Sequence, residues 1–233
     1  MICAAISAND TKSAILKSKE AIQEGATHLE LRIDHFKDPF GADFPDLVKS
    51  IHSKIILTIR KPDEGGKYAF NEKDRQDLIK KGILAIPYCV DLEFSIRDTD
   101  LTLLIRLAKE NKVKVLLSFH DFQKTPQLAQ MKNLISDAVK KGADFVKIIG
   151  TATSIEDNLK MLSLPNIAKE KKIQIVTFAM GQKGTVSRIL SPIFGAAFTF
   201  AALDEPTAPG QISITQMKSA LEIFSSYYKN RDD

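Results

Sequence analysis

The stretch His28-Leu-Glu-Leu-Arg-Ile-Asp34 alternates polar and apolar side chains. In a β-strand, successive side chains point to opposite faces, so the charged residues share one face and the leucines and the isoleucine share the other. A parallel strand that is covered by helices is usually apolar throughout, and the charged face therefore cannot be the one under helices. On its own, the pattern is equally typical of an edge strand with one solvated face.

The same alternation recurs at the ends of the next three strand-like runs. The polar residues concerned are Thr58 and Arg60, then Asp91 and Glu93, then Ser118 and His120. When parallel strands close into a barrel, the side chains at their C-terminal ends converge on the axis, at the face where active sites form. The repetition favours a barrel interior over a solvated edge.

Strand-like runs alternate with amphipathic helical segments along the whole chain. This alternation predicts parallel pairing, because each crossover must carry the chain back across the sheet. Eight such units in 233 residues predict an α/β fold, a single (β/α)8 TIM barrel over residues 1–233, with a doubly wound open sheet as the alternative. The eight runs are 2–7, 28–34, 54–60, 86–93, 113–121, 145–150, 173–180 and 196–202.

Composition and charge narrow the possible partners. The chain is 44% hydrophobic and 27% charged, with a net charge of +4 spread along the sequence, so we expect no nucleic-acid surface. Two cysteines without metal-ligand spacing indicate a reducing compartment. The first residues do not resemble a signal peptide and no run is long enough to span a membrane, which predicts a cytoplasmic protein without membrane contact.

Lys147 lies inside the apolar run 145–150, where an unpaired ammonium would be costly. It could act as a Schiff-base nucleophile, as a fixed cation for an anionic substrate, or as a structural ion-pair partner. A Schiff base requires the neutral amine, which a dry pocket or neighbouring cations favour. Arg32, Arg60 and Arg188 are candidates for such neighbours.

His120 ends the strand that precedes the lysine strand. A lone histidine is often structural, but beside an amine that forms an iminium it could remove the acidified C–H proton and return it to a leaving hydroxyl. Lysine and histidine together indicate elimination or aldol chemistry. Arginines at strand ends suit a carboxylate substrate, and Glu64, in the loop after Arg60, could orient the histidine.

Metal and nucleotide motifs are missing. The four histidines and two cysteines show no metal-ligand spacing, and no G-x-G-x-x-G motif follows a strand. We therefore expect no metal and no cofactor. The loop 204–211 combines turn residues with the amide of Gln211, as a lid over a site would.

Seven short motifs in order resemble the type I 3-dehydroquinate dehydratase family. They cover nearly the entire chain and agree in position with the eight-strand pattern. The matching stretches are 30–34, 58–60 with 64–66, 91–93, 118–120, 146–147, 184–188 and 208–212.

The resemblance implies dehydration of 3-dehydroquinate to 3-dehydroshikimate, in the shikimate pathway, without metal or cofactor. It implies that Lys147 forms the imine, that His120 is the general acid and base, and that Glu64 positions the histidine. It further implies substrate contacts, which are a carboxylate clamp of Arg188 and Gln211, hydroxyl contacts from Glu30 and Arg60, and a wall shaped by Arg32.

The resemblance has one departure and leaves some alternatives open. Thr207 stands where the family commonly has serine; it keeps the hydroxyl for the substrate contact that the resemblance implies and adds a methyl group. Family members are often homodimers, so a homodimer is expected, and no dinucleotide-binding half follows, so only dehydratase activity is expected. The alternatives are a class I aldolase and a catalytically silent barrel that senses a related acid.

Overall fold

The structure, a computed structural model, describes residues 1–204, 206 and 208–229. All its strands belong to one parallel sheet. The strands are β1 (Ile2–Ser7), β2 (His28–Arg32), β3 (Lys54–Thr58), β4 (Cys89–Glu93), β5 (Lys114–His120), β6 (Phe145–Thr151), β7 (Gln174–Met180) and β8 (Thr199–Ala201).

One α-helix follows each strand. The first begins at a capping box, in which Asp10 accepts a hydrogen bond from the Ser13 amide, and ends at Gly25 in the left-handed conformation. No helix within the described ranges has the length and apolar character needed to cross a membrane. The helices are α1 (Thr11–Glu24), α2 (Phe44–Ser50), α3 (Glu72–Leu84), α4 (Asp98–Glu110), α5 (Leu128–Lys141), α6 (Asp157–Glu170), α7 (Thr185–Leu190) and α8 (Ile214–Lys229).

The strand order shows how the sheet curls round on itself. Strands β1 to β7 follow one another in sequence order, and β8 pairs with β1. Beside β7, the amide of Ala197 donates a 2.8 Å hydrogen bond to the carbonyl of Ile175, just before β8 begins. A doubly wound sheet would reverse its order in the middle. The predicted (β/α)8 barrel is confirmed, and the open-sheet alternative is wrong.

Two separate apolar layers flank the sheet. The outer layer joins strand residues such as Leu29 and Leu31 to helix residues such as Ile135. The inner layer fills the barrel with side chains that include Phe145 and Phe200. The prediction that helices cover the leucine face of β2, and not its charged face, is confirmed.

Some strands are shorter than the sequence predicts. The run 86–93 becomes a strand only at Cys89, because Ile86 has a φ of 59° and Pro87 has no amide hydrogen for the ladder. Strand β2 ends at Arg32, and a single turn of 3₁₀ helix, Ile33–His35, follows it. Glu30 and Arg32 still face the barrel interior, whereas Asp34 lies in the turn that follows the strand.

Candidate active site

Lys147 points from β6 into the barrel interior and is 5% exposed. Its Nζ is 2.8 Å from Oε1 of Glu30 and 3.4 Å from Oδ2 of Asp91. The same nitrogen lies 4.4 Å from the ring centroid of Phe200. The buried ammonium is therefore paired with carboxylates and packed on an aromatic face, which offsets the cost of its burial.

The direct contacts of Lys147 correct one sequence expectation. Arg32, Arg60 and Arg188 are candidates from the sequence for cations beside the amine, yet the charged groups in contact with it are the carboxylates of Glu30 and Asp91. The reason is that buried cations and carboxylates pair with one another to limit desolvation. Of the three roles considered for Lys147, ion pairing is present in the structure, together with a position that faces a cavity.

Arg60 and Asp91 form a charged floor under the cavity. Nη2 of Arg60 donates to Asp91 Oδ2 at 2.6 Å, and its Nη1 donates to Ser118 Oγ at 2.7 Å. Ser118 donates in turn to the second oxygen of Asp91 at 2.6 Å, and Glu93 lies 3.3 Å from Nη1. Burial opposes ionisation of Asp91, but Arg60 and Lys147 outweigh it and lower the pKa of Asp91. Asp91 therefore stays ionised and holds Arg60 in place.

His120 and Glu64 face each other at the mouth of the barrel. His120 ends β5, and Glu64 ends the 3₁₀ turn Pro62–Glu64 after β3. Nδ1 of His120 is 3.5 Å from Oε2 of Glu64, and among the described residues neither atom has a hydrogen-bond partner. This separation is too long for a strong hydrogen bond, so a small approach would be needed to form one.

The protonation of this pair is set mainly by burial. Burial lowers the pKa of His120 well below its usual value, and the positive charges of Arg60, Lys147 and Arg32 lower it further. Burial raises the pKa of Glu64, although a hydrogen bond from Ser95 and the charge of Arg60 partly oppose this. The imidazole is therefore neutral near neutral pH and can accept a proton.

Arg188 lies on α7 and is 1% exposed. Its Nη2 donates to the carbonyl of Pro209 at 3.2 Å, and its guanidinium carbon is 4.1 Å from the ring centroid of Phe178. Among the described residues no carboxylate pairs with it and its Nε has no partner. Burial lowers the pKa of Arg188 to about 9. A buried cation with a free donor is suited to an anionic ligand.

Arg32 and Gln211 complete the lining of the cavity. Arg32 makes two hydrogen bonds to Asp34, at 2.9 and 2.7 Å, and a third to the carbonyl of Gly65 at 2.9 Å. Oε1 of Gln211 accepts from the amide of Ala208 at 3.3 Å. Thr207, expected to contact substrate, lies outside the described residues.

All the other predicted site residues line one cavity. In the described part of the chain, no three His, Cys, Asp or Glu side chains are grouped as a metal ion would need. Aromatic side chains complete the lining. The predicted residues that line it are Glu30, Arg32, Arg60, Glu64, His120, Lys147, Arg188 and Gln211.

Three residues near the site have no role in the sequence prediction. Asp91 carries the alternating pattern of its strand, but the pattern does not show that it pairs with Lys147. Phe122, two residues after His120, lines the cavity and stacks beside the imidazole with centroids 6.3 Å apart. Ser95 donates a hydrogen bond to Glu64, and no sequence signal marks it.

The chain is similar to known proteins over nearly its entire length. Residues 2–228 match the model of a family described as type I 3-dehydroquinase. A 3-dehydroquinate dehydratase from Pyrococcus abyssi is 34% identical over 223 residues, which cover 96% of this chain and 98% of that protein. The crystal structure of 3-dehydroquinate dehydratase from Geobacillus kaustophilus has a TM-score of 0.90 at 29% identity, covering 97% of this chain and 91% of that one.

A second solved structure carries a covalent ligand. It is a type I 3-dehydroquinate dehydratase from Clostridium difficile with covalently modified comenic acid. Its TM-score is 0.88 at 28% identity, and the alignment covers 97% of this chain and 92% of that one.

Proposed function

The chain belongs to the type I 3-dehydroquinase family, and on that premise we propose that it dehydrates 3-dehydroquinate to 3-dehydroshikimate through an imine on Lys147. One observation carries the proposal. A buried lysine, a partly buried neutral histidine and Arg188, a buried cation without an ion-pair partner among the described residues, line a single cavity. These groups supply a nucleophile, a base and a carboxylate binder for a step in the shikimate pathway.

The first step joins Lys147 to the substrate ketone. Nζ attacks the carbonyl carbon, a water molecule leaves, and a protonated imine remains. The amine must first release a proton, and Glu30 Oε1 is the nearer of its two carboxylate neighbours, at 2.8 Å. Because Arg60 and Lys147 hold the pKa of Asp91 low, Asp91 is a poor acceptor, and we assign this proton to Glu30. Glu30 returns the proton to the hydroxyl of the addition intermediate, which then leaves as water.

The second step is the elimination. The protonated imine acidifies the adjacent C–H, and the neutral imidazole of His120 takes that proton to leave an enamine. The enamine expels the hydroxyl on carbon 1, which His120 protonates, so one water molecule departs and the histidine returns to its neutral form. Hydrolysis of the product imine restores Lys147. Glu64 positions His120 throughout, through the nitrogen Nδ1 that faces it.

The remaining side chains bind the substrate. Arg188 has a free donor in the cavity, and with Gln211 it forms the proposed clamp for the carboxylate. Glu30 and Arg60 contact ring hydroxyls, and Arg32 shapes the adjoining wall. Thr207 would contribute its hydroxyl from the last loop. Each of these assignments follows the family resemblance, and the shared cavity supports all but that of Thr207.

Borohydride trapping tests the proposed function. Incubation with 3-dehydroquinate and borohydride should add the mass of the reduced adduct to the peptide that contains Lys147, and to no peptide without substrate. The Lys140→Arg variant changes a lysine whose side chain is 76% exposed and should trap normally. Unmodified Lys147 with turnover intact would end the imine mechanism. Ligand binding without turnover would support a sensor, and carbon–carbon cleavage would support an aldolase.

We further propose that the active form is a cytoplasmic homodimer that needs no cofactor. The family resemblance supports the dimer, and the chemistry of lysine and histidine supplies each step without an added group. Sedimentation equilibrium at micromolar concentration should give twice the 25.9 kDa mass of the chain. A single species at the chain mass, with full activity, would contradict the dimer.

A further inference from the structure

Glu64 is held from outside the cavity by a hydroxyl group. Ser95 Oγ donates a hydrogen bond to Oε1 of Glu64, while the other oxygen, Oε2, faces His120 Nδ1 at 3.5 Å. The two oxygens of one carboxylate thus point to different partners. Fixing Oε1 restricts the rotation of the carboxylate and so determines where Oε2 lies.

Ser95 has no contact with the cavity itself. It lies in the turn after β4, is exposed, and is not among the side chains that line the cavity. Glu64 belongs to a different segment, the turn after β3. A residue on one loop therefore anchors the proposed partner of the base on the neighbouring loop.

We propose that Ser95 is a positioning residue that keeps Glu64 ionised and turned toward His120, an inference that rests on the proposed dehydratase function. A hydroxyl that donates to a carboxylate oxygen stabilises the charged form of the carboxylate. After a small approach of the two groups, the ionised Oε2 accepts the Nδ1–H of the imidazole. With the proton on Nδ1, the second ring nitrogen, Nε2, is free to take the substrate proton.

Other charged groups around the pair do not replace this contact. Lys61 Nζ lies 3.9 Å from Oε1, beyond hydrogen-bond distance, while Arg60 and Glu93 act on Glu64 with opposite signs. The groups that face His120, namely Arg60, Lys147 and Arg32, are all cations that oppose its protonation. Glu64 is the carboxylate in contact with the ring, so its ionisation is what permits the imidazolium to form.

Proton transfer in the proposed elimination needs no other reactant. His120 gains one proton at Nε2 from the substrate carbon and gives it to the departing hydroxyl, which leaves as water. Glu64 and Ser95 exchange no proton with the substrate. Ser95 should therefore affect the elimination and leave imine formation at Lys147 unaltered.

The Ser95→Ala and Ser95→Thr variants test the inference. In Ser95→Ala, loss of one hydrogen bond to a carboxylate should lower kcat at pH 7 by about threefold to tenfold, with KM unchanged. Because the lost bond favoured the carboxylate, the pKa of Glu64 should rise, and the acidic limb of the kcat profile should move to higher pH. Ser95→Thr keeps the hydroxyl and should restore both values.

Ser163→Ala is the matched control, because the hydroxyl of Ser163 donates to the carbonyl of Lys160, within α6 and away from the cavity lining. It should leave kcat and the pH profile unchanged. Borohydride trapping should proceed to the same extent in all variants.

Two outcomes would overturn the role of Ser95. In the first, an active Ser95→Ala variant has an unshifted acidic limb and normal kcat, which would mean that water replaces the hydroxyl. In the second, Ser95→Thr is impaired as much as Ser95→Ala, which would indicate a structural effect of the turn. A wild-type protein without turnover or trapping would end both this inference and the proposed function, whereas the first two outcomes end this inference alone.

Discussion

Lys147 and Arg188 are both buried cations in the same cavity, but among the described residues Lys147 has carboxylate partners and Arg188 has none. The charge of Lys147 is compensated in the resting protein, which offsets part of the cost of its burial. The charge of Arg188 is held by a carbonyl and an aromatic face, and burial lowers its pKa to about 9. The buried charge of Arg188 therefore destabilises the fold, and a bound anion would stabilise the protein.

Replacement of Arg188 should separate binding from stability. In Arg188→Met, an apolar side chain of similar length replaces a desolvated charge, so the free energy of unfolding should rise by about 1 to 2 kcal/mol. KM for 3-dehydroquinate should rise by about tenfold or more, because a charged hydrogen bond to the carboxylate is lost. Thermal melting and steady-state kinetics measure both effects.

The control for Arg188 is Arg97→Met, at an arginine whose side chain is 76% exposed. This variant should change neither the free energy of unfolding nor KM. A less stable Arg188→Met protein with a normal KM would contradict both the destabilising effect of the buried charge and the proposed contact of Arg188 with the substrate carboxylate.

Replacement of His120 should separate imine formation from elimination. The His120→Ala variant keeps Lys147 and its carboxylate neighbours, so borohydride should still trap the substrate adduct. Turnover should fall by about 10²- to 10⁴-fold, which is the usual contribution of a general base. His52→Ala, at an exposed histidine, is the control and should keep full activity. Normal turnover of His120→Ala would show that another group is the base.

The alternation of polar and apolar residues identifies the site side chains but not their partners. The sequence predicts that Glu30, Arg60 and Lys147 face the interior, and the structure places all three in the cavity. The sequence does not predict that Asp91 pairs with Lys147. The sheet face and the strand order of these residues are compatible with several carboxylates as partners of one cation. Ion pairing depends on distances of a few ångströms, which a strand pattern does not encode.

The loop after β3 carries Glu64, and two glycines shape it. Gly65 has a φ of 84°, which side chains other than glycine rarely adopt. At Gly66, an added Cβ would lie 2.0 Å from the backbone carbonyl oxygen of Arg60. Because that neighbour is backbone, no rotamer change can relieve the clash. The close turn therefore fixes the distance between Glu64 and the end of β3.

Gly66→Ala should displace this loop and move Glu64 away from His120. We expect kcat to fall by about tenfold or more with the barrel still folded, since a small misplacement of a catalytic partner has large effects on rate. Gly41→Ala is the control, because the added Cβ there meets only the carboxylate of Asp38, a side chain that can move. Circular dichroism checks the fold and steady-state kinetics the rate. Normal activity in Gly66→Ala would show that the loop tolerates the shift.

The sequence predicts which strands exist better than it predicts where each strand begins and ends. Every strand of the described chain lies within or beside its predicted run, yet β8 is reduced to Thr199–Ala201 from the predicted 196–202. The residues before it still contact β7 through Ala197, without forming a ladder there. Where a strand ends depends on the curvature that closes the barrel, which is a property of all eight strands together.

The whole molecule depends on carboxylates that are ionised when folded. Asp34, Asp91 and Asp157 all have lowered pKa values, although burial opposes each shift. For Asp157, hydrogen bonds from Lys160 and from the Thr153 segment outweigh burial and lower the pKa to about 2. These bonds tie the start of α6 to the end of β6.

The barrel should therefore lose stability in acid, and Asp157 gives a measurable share of that loss. A carboxylate with a lower pKa in the folded state than in the unfolded state stabilises the protein fully above the unfolded value, near 4. As the pH falls from about 4 toward 2, this stabilisation disappears. Asp157→Asn should lower the free energy of unfolding at pH 7 by about 1.5 to 3 kcal/mol, the range for hydrogen bonds to a charged group, and should flatten the fall between pH 4 and 2.

Urea unfolding at a series of pH values measures this change, with Asp137→Asn, an exposed carboxylate on α5, as the control. If Asp157→Asn and the wild type lost stability in parallel between pH 4 and 2, the acid sensitivity would have to come from other carboxylates, of which Asp34 and Asp91 are buried in ion pairs. Those two carboxylates hold Arg32 and Arg60, so the same titration would then follow loss of the candidate site together with loss of the fold.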